Sequence, residues 1–110
     1  MCYVAAMAFE VPKKLLDGVV RHFDPLEVYL FGSQARGDAG PDSDIDLYVV
    51  LEDERVATFN LGRAVGEARR GSPEAVDIVL ATRSSHEKFQ ATPGAMALKV
   101  RREGVLVYAR

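Results

Sequence analysis

At 110 residues, 48% apolar and 27% charged, the chain is long enough for one domain with its own core and too short for two. Fourteen Lys and Arg against 16 Asp and Glu leave a net charge of −2, which gives no reason to expect nucleic acid as a partner, since non-specific binders of that polymer are strongly basic. A single cysteine, Cys2, excludes an intrachain disulfide and a thiolate zinc cluster, and the apolar opening over 1–9 is far short of a membrane span, so a cytoplasmic protein is expected.

Met7 is an alternative start, because nothing in 1–6 is needed by any element. Leu15, Leu16, Val19, Val20 and Phe23 recur at helical spacing after Pro12, which suits a first turn, and Asp24-Pro25 ends that helix. A strand follows over 26–31, with Tyr29 and Phe31 on one face and Val28 and Leu30 on the other. Gly32-Ser33 terminates it, 34–36 can form a short helix, and 38–42 is dense in turn residues.

The stretch 44–51 reads as a strand whose second half is apolar on both faces, as in a central, covered position. An amphipathic helix is expected over 55–70, closed by Gly71, and a third strand over 75–81. Helical patterns over 84–90 and 94–103 and a short strand over 105–108 complete the chain. The expected class is α/β (α+β), a single domain over 1–110 with helices packed against a small mixed sheet.

Three carboxylates and one turn carry the chemistry. Asp44 and Asp46 share a strand face, about 7 Å apart along the chain. Such a pair is either two solvated acids at a strand end or a site for a cation lying between them. Asp77 interrupts an otherwise apolar strand, where an unpaired carboxylate is costly to bury. It therefore has a basic partner or joins a metal site, and if the two strands are neighbours it can meet Asp44 and Asp46.

Three carboxylates suit Mg²⁺, which completes its shell with waters and phosphate oxygens, and two such ions suit in-line displacement at phosphorus. Gly32 lets backbone approach a ligand, and Ser33 can cap the short helix, whose free N–H groups favour an anion, although Gly-Ser alone reads as an ordinary strand-to-helix turn. Arg36 either contacts a triphosphate or pairs with Asp38 or Asp42. Ser43 is a turn or capping residue, with no histidine base near in sequence to make it a nucleophile. A phosphate-holding turn beside magnesium-holding aspartates points to nucleotidyl transfer.

Gly32-Ser33-Gln34-Ala35-Arg36-Gly37, Ser43-Asp44-Ile45-Asp46-Leu47 and Val76-Asp77-Ile78-Val79 together resemble the signature of the DNA polymerase β-type nucleotidyltransferase superfamily. More narrowly they resemble its minimal nucleotidyltransferases, including the ending over 103–108. The resemblance implies a polymerase β-like fold with Gly32, Ser33 and Arg36 at the nucleotide. It also implies two Mg²⁺ ions held by Asp44, Asp46 and Asp77, and Asp77 assisting deprotonation of the attacking hydroxyl.

By the same resemblance the chain moves AMP from ATP to a hydroxyl, a tyrosine of a HEPN-domain toxin that it restrains as an antitoxin. The alternatives are a non-catalytic module acting by occlusion, and a small-molecule nucleotidyltransferase whose acceptor site forms across a homodimer.

Overall fold

The computed structural model describes residues 11–32, 44–54, 63, 66–67 and 76–110. Helix α1, Lys13–Phe23, turns Leu15, Gly18, Val19 and Phe23 inward. Pro12 stands one residue ahead of the helix as its N-cap, and its carbonyl accepts from Leu16 N–H at 3.0 Å. Asp24 closes the other end in the left-handed conformation, φ 47°, donating its N–H to Val20 O at 2.9 Å. Buried Pro25 then prevents another helical turn.

The sheet contains β1 (Glu27–Phe31), β2 (Ile45–Leu51), β3 (Val76–Thr82) and β4 (Val105–Ala109), in the order β3-β2-β1-β4. It is mixed: β1 runs antiparallel to β2 and β4, and β2 runs parallel to β3. Leu26, expected in the strand, lies just before β1, yet its backbone already bonds Val50 and Arg110. Every residue of β2 except Asp46 is buried, as the two-sided apolar pattern required of a strand with neighbours on both edges.

Alternation divides the core in two. On one face Val28, Leu30, Ile45, Leu47, Val49, Leu51 and Val76 pack with Leu15, Val19 and Phe23 of α1. On the other, Phe31, Tyr48 and Val50 pack with Val100, and half-buried Tyr29, Val79 and Ala81 join them. This second face lies under helices α2 (Arg83–Phe89) and α3 (Met96–Glu103).

Local chemistry fixes where these helices begin and end. Thr82 Oγ1 accepts from Ser85 N–H at 3.1 Å and caps α2. Asp53 accepts from Ser84 N–H at 3.2 Å, and hydrogen bonds from the Ser84 side chain and backbone hold its carboxyl below the usual range. At the end of α3, a Cβ on Gly104 would stand 2.5 Å from Val100 O, so only glycine fits the turn into β4.

Residues 63 and 66–67 are helical, consistent with the helix expected over 55–70. The remainder of that helix, the short helix over 34–36 and the loop over 38–42 lie outside the described residues. Among the described residues no helix is long and apolar enough to cross a membrane.

Candidate active site

The parallel pairing of β2 with β3 sets Asp46 opposite Asp77, and the antiparallel pairing of β2 with β1 sets Asp46 opposite Phe31. Neighbouring strands lie about 4.8 Å apart. Two carboxylates thus stand side by side near one end of the sheet, on the face shared with Tyr48 and Val79. Asp46 is half-buried and Asp77 exposed. The expectation that Asp77 is a costly buried charge is therefore corrected: it sits one residue into an edge strand, where water reaches it. Its significance lies in its register with Asp46.

Gly32 follows β1 with φ +80°, a conformation glycine adopts freely. A Cβ there would run into Asp46 Oδ2, so backbone and carboxylate are in close apposition. Gly32, Asp46 and Asp77 open into a cleft of about 530 Å³, whose other wall includes Met96 and Lys99 of α3. The two α3 residues are three apart and so share one helix face.

Asp44 is exposed, immediately ahead of β2, and alternation gives it the face of Asp46. Among the described residues no three Asp, Glu, His or Cys side chains converge as a metal-binding group, so the structure pairs two of the three expected carboxylates. That pair fits Mg²⁺, whose sites commonly use one or two carboxylates and take further oxygens from substrate phosphate. Ser33 and Arg36, expected at the nucleotide, and Ser43, expected to position Asp44, lie outside the described residues.

Deeper on the same face is a polar chain that periodicity does not reveal. His86 of α2 is 5% exposed. Its Nδ1 lies 3.1 Å from Tyr48 Oη, and its Nε2 lies 2.9 Å from Gln90 Nε2. With the Gln90 amide oriented to donate, the ring proton is on Nδ1 and is donated to Tyr48 Oη. Tyr29 packs edge-on to Tyr48, with centroids 6.2 Å apart, and donates its hydroxyl to Glu27 at 2.9 Å.

Burial pushes the Tyr48 phenol above its ordinary value, and burial with the Glu27 contact pushes Tyr29 up further. Both tyrosines pack on the second face of the sheet, and the Tyr48–His86 hydrogen bond fastens α2 to it.

A family model described as "Nucleotidyltransferase domain" matches residues 12–102. No curated protein matches the chain. Among solved structures, "Crystal structure of the toxin-antitoxin with AMP-PNP" aligns with a TM-score of 0.59 at 20% identity, covering 91% of this chain and 75% of that one. A crystal structure of a mutant of the toxin-antitoxin MntA-HpeT aligns with a TM-score of 0.54 at 17% identity, with the same coverage of 91% and 75%. These likenesses establish a shared fold.

Proposed function

Because the chain belongs to the nucleotidyltransferase domain family, we propose that it is a minimal nucleotidyltransferase that moves AMP from ATP to a tyrosine hydroxyl of a HEPN-domain toxin, and so acts as an antitoxin. The observation that carries this reading is the register of Asp46 with Asp77 beside the glycine turn at Gly32. A module acting by occlusion has no need of two like charges held side by side at a cleft.

The transfer is a displacement at the α-phosphorus of ATP. The acceptor oxygen forms a bond to phosphorus, the bond to the bridging oxygen breaks, and pyrophosphate leaves with that electron pair. Asp77, the more exposed of the pair, takes the acceptor's proton. Asp46, half-buried against Gly32, keeps a fixed orientation toward the cleft. Two magnesium ions held by Asp44, Asp46 and Asp77 would supply positive charge to the attacking and leaving oxygens. Gly32, with Ser33 and Arg36, holds the phosphates.

The partner assignment draws on the toxin-antitoxin neighbours, one of them solved with AMP-PNP. A cytoplasmic setting, where ATP and magnesium are abundant, belongs to the same reading.

The test is to incubate the protein with Mg²⁺, ATP and the product of the adjacent gene, then weigh both proteins by intact mass spectrometry. An AMP-sized gain on the partner, absent with Asp46→Asn, is the expected result. A stable complex without gain would replace transfer by occlusion. Transfer only to added small hydroxyl compounds, by a homodimer, would replace the protein acceptor.

A further inference from the structure

The cleft has an electrostatic asymmetry. Its floor carries the two carboxylates Asp46 and Asp77, and a nucleotide would bring further negative charge to them. Among the described residues lining it, Lys99 is the cation. Lys99 is exposed on α3, three residues after Met96, and its ammonium forms no ion pair with a described residue.

The helix is held firmly beneath it: Ala97 and Val100 are buried, and Val100 packs with Phe31, Tyr48 and Val50. The stem of Lys99 thus starts from a fixed point while its charged end remains free to reach a ligand.

We infer that Lys99 is a phosphate-contact residue of this cleft, donating from its ammonium to the phosphate chain of a nucleoside triphosphate held over Asp46 and Asp77. This rests on the nucleotide-transfer reading of the same site. An ammonium suits the task because it is a compact charge with three donors on a flexible stem, able to follow the chain as charge moves onto the departing pyrophosphate. If Lys99 served only to screen the two carboxylates, removing its charge would strengthen cation binding and leave phosphate binding unchanged.

Inorganic tripolyphosphate with Mg²⁺ is the probe, measured by titration calorimetry on the intact protein, with Mg²⁺ titrated separately. Lys99→Gln is expected to weaken tripolyphosphate binding about tenfold or more, because a hydrogen bond to a charged group is lost. Lys99→Arg should recover most of the affinity, and the urea midpoints of all three proteins should coincide.

Equal affinity of Lys99→Gln and wild type, or a wild type that binds no tripolyphosphate, overturns the assignment. So does a tighter Mg²⁺ affinity in Lys99→Gln with phosphate binding unaltered. Lys99-dependent phosphate binding in a protein that moves AMP to no acceptor would overturn the transfer reading and leave Lys99 in its role. Active transfer with Lys99-independent phosphate binding would do the reverse.

Discussion

Gly32 lies so close to the carboxylate of Asp46 that no side chain fits between them, and its φ of +80° already selects glycine. Gly32→Ala combines backbone strain with displacement of Asp46. Non-glycine residues held in such regions cost about 1–3 kcal/mol. The urea midpoint should fall accordingly, and transfer should fall much further than stability, because the displaced group belongs to the carboxylate pair. A Gly32→Ala protein retaining wild-type transfer would show that the apposition has no part in the chemistry.

Asp46 and Asp77 face each other across parallel strands, but their surroundings differ. Asp77 is exposed, so Asp77→Ala should leave the unfolding free energy from urea titration within about 0.5 kcal/mol of wild type, as for other surface changes. On the proposed function transfer should drop by about 10²-fold or more, since a carboxylate that would hold a metal ion lowers the barrier by several kcal/mol. Asp46→Asn should abolish transfer and leave partner binding intact. Loss of folding in Asp77→Ala would instead identify the residue as structural.

Residues close in sequence were the readable ones. Period-two alternation in 27–31 and 45–51 separates the α1 face from the α2–α3 face, and Asp24-Pro25 announces the end of α1. Gly32 and Asp46 are distinctive residue types at strand ends. The meeting of Asp46 with Asp77 depends on which strands pair and in what register, which is set by contacts across 31 positions and has no local signature.

Lys99 is harder still to find. In sequence it is one polar residue of an amphipathic helix, and it enters the cleft only because Ala97 and Val100 bury the other face of α3. The Tyr48–His86 contact is hidden for the same reason, as a 38-residue separation between a strand tyrosine and a helix histidine.

That contact makes its own prediction. His86 is buried and both ring nitrogens have partners. Tyr48→Phe preserves the ring packing against Tyr29 and His86 but leaves Nδ1 with no acceptor. An unsatisfied buried polar group costs about 1–3 kcal/mol, and the unfolding free energy from urea titration should fall by that amount. The loss should also appear locally, as faster amide exchange over 83–89 than over 13–23, because the tie joins α2 to the sheet. Equal exchange in the two helices would mean that apolar packing alone holds α2.

The tyrosines also set the alkaline limit of the fold. An ordinary tyrosine ionises at 10.0, and burial raises Tyr48 above that value. Tyr29 is raised too, by burial and then by Glu27, whose carboxylate accepts the phenol's proton. Below pH 10 both are protonated whether the chain is folded or unfolded, and their stabilisation is fully present. Above it the unfolded chain loses these protons first, so stability falls as pH rises through the folded-state values. Urea midpoints measured from pH 8 to pH 11 should be level and then decline from about pH 10. Glu27→Gln, which removes the neighbouring negative charge, should leave the onset at about pH 10, where the unfolded chain ionises, and make the decline shallower, because Tyr29 then ionises more readily in the folded chain. The sharper measurement is direct titration of the folded protein by phenolate absorbance: two tyrosines should resist ionisation in wild type, and one should yield earlier in Glu27→Gln.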